Sequence, residues 1–284
     1  MTDVRASYRA EVLKLRKRPA MWILGGVFLL LAQVFGYLLP YVAYRTGAGG
    51  FAAGEPASRL LADVLPGSLV PNTLGGFPMF AGAIAIVIGA IASGSEYGWR
   101  TLKSILTARP RRLSVLGGKL LALAAAALVL VIAVFAVNAG WSAAIAAVEG
   151  KPLDWPGLGD LARGIGAGWL IIGMWTLFGA ALGIVFRGPS LAIGLGLVWA
   201  LVVENLVRGF AAVLGFLDAL QKWLPGVDAG SVVASLGATT QDRPGGTPGV
   251  TDAVAGARGV TMLIAYVLAL ALVASLTLVR QDVE

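Results

Sequence analysis

Residues 117–147 read GGKLLALAAAALVLVIAVFAVNAGWSAAIAA, and from Leu120 to Ala147 no side chain carries a charge. A helix rises ~1.5 Å per residue, so this run is longer than the ~30 Å needed to cross the hydrocarbon core of a bilayer. Working outward from it, comparable apolar runs occupy residues 20–44, 73–93, 164–186, 190–207 and 259–279. A tight Arg187-Gly188-Pro189 turn separates the fourth from the fifth. Across 284 residues the chain is 58% apolar and 13% charged, with a mean hydropathy of +0.83. A soluble domain carries about 25% charged residues, so a soluble globular enzyme is excluded. The pattern predicts an all-α integral membrane protein, a single transmembrane domain over residues 1–284 with six transmembrane helices.

Residues 1–19 precede the first run and predict an amphipathic interfacial helix. Val4, Tyr8, Val12 and Leu15 share one face, and Arg5, Arg9, Lys14, Arg16, Lys17 and Arg18 supply charge for lipid phosphates. The basic stretch is too long for a secretory signal, and no small-x-small cleavage site follows it. With an N-terminus in the cytoplasm, six spans return the C-terminus there as well. The segments then assigned to the cytoplasm hold 14 basic and 5 acidic residues; the opposite side holds 8 and 10. Net charges of +9 and −2 agree with the positive-inside rule and place both termini in the cytoplasm of a multi-pass plasma or inner membrane protein. The overall charge of +7 therefore reads as topology and not as affinity for nucleic acid. Tyr37, Tyr41 and Tyr44 suit an aromatic belt at the outer interface.

Residues 208–258 are more apolar than an ordinary loop. Phe210, Val213, Leu214, Leu217, Leu220 and Leu224 fall on one helical face ahead of Pro225-Gly226, and a second apolar piece follows around Val232. This segment either dips into the outer leaflet as a re-entrant helix or lies along the surface. Thr239–Asp252 reads as a flexible polar loop. Within the spans the polar side chains quoted as candidates are Gln33, Asn138, Glu204 and Asn205. Gln33 and Asn138 are expected to bond between helices. Glu204 and Asn205 are candidates for a pathway or gate, unless Glu204 simply reaches the outer interface.

The chain has neither cysteine nor histidine, so it offers no thiolate nucleophile, imidazole base or disulfide. That leaves an integral membrane enzyme with no evident machinery. Gly118-Lys119 is followed by Leu120 where a phosphate-cradling loop needs Ser or Thr, and Leu113 stands in place of its first glycine. No cofactor is expected on this chain. Gly164-x-Gly166-x-Gly168, Gly179-x-x-x-Gly183 and Gly194-x-Gly196 read as close helix packing.

Residues 94–116 connect the second and third runs and contain Glu96-Tyr97, Thr101-Leu102-Lys103 and, just beyond, Gly118-Lys119. Together with the opening Glu11-x-x-Lys14-Leu15-x-x-Arg18-Pro19-x-x-Trp22, this order resembles the permeases of the ABC-2 type, membrane subunits of ATP-driven exporters. The glycine that family carries before its threonine is Arg100 here. The resemblance implies a translocation pathway made by a dimer of permease subunits, identical or homologous. It also implies a separate ABC ATP-binding subunit that carries ATP and Mg, docked on residues 94–116 as a cytoplasmic coupling segment. In that reading Trp99, Leu102, Ile105 and Leu106 anchor in a groove of the ATPase, while Arg100, Lys103, Arg111 and Arg112 meet its acidic rim. Glu96 and Tyr97 join the segment to the second span, and Glu96 can pair with Arg100 at i+4. Such a pair, if exposed, is worth only ~0.3–0.5 kcal/mol. The plain alternative is a cationic loop that serves topology alone. Few polar groups in the spans fit export of a hydrophobic or amphipathic compound, such as a drug, peptide or lipid. An ion-gradient-driven secondary transporter is the competing reading, but midplane charges and internal repeats, its usual marks, are not found.

Overall fold

A computed structural model of the chain describes residues 2–47, 55–98, 112–211 and 213–280. Among these residues all regular secondary structure is helical. Helix α1 spans Thr2–Lys17. The remaining elements are α2 (Pro19–Thr46), α3 (Ala57–Val64), α4 (Pro66–Tyr97), α5 (Arg112–Val148), α6 (Leu158–Val185), α7 (Pro189–Ala211), α8 (Gly215–Gln221), α9 (Pro225–Ser235) and α10 (Gly256–Arg280). Six of them, α2, α4, α5, α6, α7 and α10, are long and apolar enough to cross a membrane.

The spine is the pair α4 and α6, whose most apolar windows are 56% and 67% buried, against 11% for α2 and 17% for α10. Small residues make this possible. A Cβ on Gly89 would stand 1.8 Å from the Thr176 carbonyl, and one on Gly179 2.0 Å from that of Ile86, so only glycine lets the two backbones meet. Gly183 likewise abuts Gly94. Among the other predicted packing glycines, Gly164, Gly168 and Gly196 touch neighbouring side chains, whereas Gly166 and Gly194 face open space. Around the spine Phe28, Phe77, Val131, Ile171 and Trp175 form the main core, with Phe28 and Phe77 edge-to-face at 5.6 Å.

Three spans contain a π turn: Val34–Leu38 in α2, Phe77–Ala81 in α4 and Val198–Val203 in α7. Such turns release a backbone carbonyl from the regular ladder. Asn72 donates to the carbonyl of Gly36 at 3.0 Å within the first of them. Between α2 and α5, Gln33 Nε2 donates to Asn138 Oδ1 at 2.7 Å, and Asn138 Nδ2 donates to Thr73 at 2.8 Å, the interhelical bonding expected of these two amides.

Three expectations change. Tyr37 is buried against Ser142 and does not join an aromatic belt, while Tyr41 and Tyr44 donate to Glu149 at 2.7 and 3.0 Å. Helix α1 turns Ser7 and Glu11 toward the bundle, because Gly118 of α5 leaves room for Ser7 to press in, and Val4, Tyr8, Val12 and Leu15 stay half-exposed. Residues 208–224 are not one helix. Helix α7 continues to Ala211, α8 is separate, and Pro225 opens α9, since proline at the first helical position forfeits no ladder bond. Residues 239–252 are a compact turn assembly. Gln241 N donates to Val250 O at 2.9 Å and Gly249 N to Gln241 Oε1 at 3.1 Å, with Gly245 and Gly249 at φ of +70° and +92° closing the turns.

Candidate functional site

At the end of the bundle that carries α1, three segments far apart in sequence bring four charges together. Pro19 at the first position of α2, after the extended Arg18, forces a sharp corner that folds α1 back across α5. Arg18 closes the corner by donating to the Ile91 carbonyl of α4 at 3.1 Å. Glu11 and Lys14, three apart on α1, therefore face Glu96 at the end of α4 and Lys119 in the second turn of α5.

The four form an alternating ring. Glu11 Oε1 lies 2.5 Å from Lys14 Nζ and its Oε2 3.3 Å from Lys119 Nζ. Glu96 Oε1 lies 2.7 Å from Lys14 and its Oε2 2.9 Å from Lys119. Each carboxylate thus bridges both ammonium groups, and the ring is neutral. Lys119 places its third N–H on the Ala92 carbonyl at 3.1 Å, so its donors are all used. Glu11, Glu96 and Lys119 are buried, and Lys14 closes the ring from the surface side. Burial by itself would lower the Lys14 ammonium pKa, but the Glu96 and Glu11 carboxylates outweigh it and hold the pKa above its ordinary value.

Glu96 is therefore no exposed partner at the foot of a loop. It is a buried anchor shared between α1 and α5, reached because α4 and α6 pack closely enough to hold its end in place. Next to it Tyr97 packs against Leu116, Ile184 and Leu278, joining the ends of α4, α5, α6 and α10. The other residues expected to couple to an ATPase, Trp99, Arg100, Thr101, Leu102, Lys103, Ile105 and Leu106, lie outside the described residues, as does Arg111. Arg112 is described, and its guanidinium is turned toward the last turn of α10. Glu11, Lys14 and Lys119 were visible only as motif letters. The signal that singles out Lys119 is a lone charge inside an otherwise apolar run, which must find a partner.

At the opposite end a second, different set of charges is buried. The π turn of α7 brings Trp199 alongside Glu204, and its indole N–H donates to Oε1 at 3.2 Å. Glu204 is 1% exposed and also receives the backbone N–H of Gly226 at the start of α9. A Cβ at Gly226 would sit 1.9 Å from Glu204 Oε2, so glycine is needed for this approach. A helix N-terminus favours a carboxylate there. Two residues on, Asp228 is fully buried, and among the described residues neither carboxylate oxygen has a hydrogen-bond partner. Burial pushes its pKa up to about 7, although Arg258 opposes the shift. Asn205 has both polar atoms engaged on its own helix, donating to Leu201 O at 2.9 Å and accepting from Arg208 at 2.7 Å. Of the two gate candidates, then, Glu204 meets another element and Asn205 does not. Asp228 was missed in the sequence, where it is a single acid in an apolar stretch.

A family model described as ABC-2 family transporter protein matches residues 8–203, more than half of the chain. That interval contains the whole ring of Glu11, Lys14, Glu96 and Lys119. No curated protein matches the chain.

Proposed function

Because the chain belongs to the ABC-2 family of transporter proteins, and is thus a multi-pass membrane transport subunit and not itself an enzyme, we propose that it is the permease of an ATP-driven exporter. A separate ATP-binding subunit docks on residues 94–116. Two permease subunits, identical or homologous, face each other across one pathway. Both termini and the docking segment lie in the cytoplasm, in keeping with the charge asymmetry of +9 against −2. The compound exported is hydrophobic or amphipathic. Residues 225–235 form a re-entrant helix at the outer end, a reading supported by the complete enclosure of Asp228 and its neighbours by protein.

One observation carries this reading. The four charged residues of three separate motifs converge where the docking segment leaves the bundle, so force on that segment meets α1, α4 and α5 at one joint. Purification from the native membrane should recover an ATPase with the chain, while the chain alone hydrolyses no ATP. Turnover by rigorously purified chain, or transport driven by an ion gradient without ATP, overturns the proposal. Orientation is tested with the cysteine-free background: a cysteine at position 109 should be protected from an impermeant reagent in intact cells, and one at position 252 labelled.

A further inference from the structure

Besides the charged ring, the described ends of the docking segment reach the bundle at Arg112, which opens α5. Its Nη1 donates to the carbonyls of Leu278 and Val279, both at 3.1 Å, in the last described turn of α10. A cation is favoured at the C-terminal end of a helix, where the carbonyls point outward and the macrodipole is negative. Tyr97, on the other side of the segment, packs in the cluster that contains Leu278. Both sides of the segment therefore bear on the same turn of α10.

Helix α10 is a stiff rod of 25 residues, about 37 Å long, and most of its apolar window faces outward from the bundle. Its far end is fastened to α9 and the turn before it. A Cβ on Gly259 would lie 2.7 Å from the Asp228 carbonyl, and one on Gly256 2.3 Å from Ser235 Oγ. Arg258 donates to Lys222 O at 3.1 Å and stacks over Trp223 at 5.3 Å, while the Tyr266 hydroxyl donates to the Trp223 carbonyl. The N-terminus of α9 in turn holds Glu204 of α7. A continuous path runs from the docking segment to the buried carboxylates at the opposite end.

We propose that Arg112 is the positioning residue that passes movement of the docking segment to α10, and through α10 to α9. One guanidinium nitrogen shared by two successive carbonyls ties the start of α5 to the last described turn of α10. This inference rests on the proposed docking of an ATPase to the segment.

The test uses the full chain in complex with its co-purifying ATPase in lipid nanodiscs. Spin labels go on Val148→Cys and Ala257→Cys, at the far ends of α5 and α10. In the wild-type background, ATP with vanadate should shift the distance between the labels. Arg112→Gln should abolish the shift in complexes of unchanged stoichiometry. Should that variant fail to fold, Arg112→Lys is read in its place and should cut the shift to a fraction, because its ammonium ends one bond short of the Nη1 that reaches the two carbonyls. A shift that survives in the folded variant, or no shift in the wild-type background, overturns the role of Arg112. Failure of the chain to hold any ATPase instead removes the functional proposal, and this inference with it.

Discussion

The two ends of the bundle both bury carboxylates, and they treat them in opposite ways. At the α1 end, Glu11 and Glu96 are each bridged by two lysines in a neutral ring. At the other end, Glu204 is held by an indole and a backbone N–H, and Asp228 has no hydrogen-bond donor among the described residues. Desolvating charge costs several kcal/mol per ion, which close geometry can offset only when every partner is in place. The ring meets that condition, so it fixes how α1, α4 and α5 sit relative to one another. It adds little net stability over an apolar filling, and its contribution is a single defined geometry. The outer carboxylates do not meet it. Burial there favours the neutral form of Asp228, which makes it responsive to pH.

The comparison can be broken most sharply at Lys119. Lys119→Met leaves two buried carboxylates sharing the one ammonium of Lys14, and should cost about 3–5 kcal/mol, read as a fall of roughly 10 °C in the melting midpoint in detergent. A small change would mean that the ring is wet and its geometry unimportant. Glu96→Gln comes next. It leaves two lysines around one carboxylate, with Lys14 able to relax toward solvent, and should cost about 2 kcal/mol. That is well above the value of an exposed pair, because Glu96 is buried between two lysines; the pair it could make with Arg100 lies outside the described residues.

The outer end sharpens the contrast through pH. A carboxyl with its pKa raised from 3.8 to about 7 in the folded protein holds its proton where the unfolded chain has released it. Stability therefore falls as pH rises through that window, by at most about 1.4 kcal/mol for each pH unit. Asp228 lies within electrostatic reach of Glu204 of α7 and of Arg258 and Tyr266 of α10. Melting curves between those limits should be clearly flatter for Asp228→Asn, and an unchanged slope would assign the titration to another group. Smallest of all is Glu204→Gln. Its amide oxygen can keep one of the bonds from Trp199 and Gly226 and loses the other, so stability should fall by about 1 kcal/mol, below its inner counterpart Glu96→Gln. Equal losses at the two positions would erase the distinction between the ends.

Legibility followed the range of the interaction. The run from Leu120 to Ala147 declares a membrane helix in any context, because transfer to lipid depends on composition along a single helix. That Gln33 and Asn138 bond between helices is legible for the same reason, since an amide in a span must find a donor or acceptor, but their meeting each other is not. By contrast, Lys14 and Glu96 are 82 residues apart, and Lys119 and Glu11 are 108. Their letters stood in the quoted motifs, but nothing local says that they form one ring. The Pro225-Gly226 pair misled in the other direction. As a turn signal it suggested an ending, whereas at a helix start the same two residues open α9 and let Glu204 reach its N-terminus.

The amino-acid order alone thus specified an all-helical membrane protein with six spans and an N-terminal helix, since hydropathy accumulates residue by residue and needs no partner. Which charges meet was decided by the packed structure. Rotation of each helix about its axis is set by close contacts such as Gly89 on Thr176 and Gly118 on Ser7. That rotation turns Glu96 and Lys119 toward α1, and it leaves Asp228 enclosed at the other end without a donor. A carboxylate's role in this molecule follows from the neighbours that packing gives it, and those neighbours come from segments a hundred residues away.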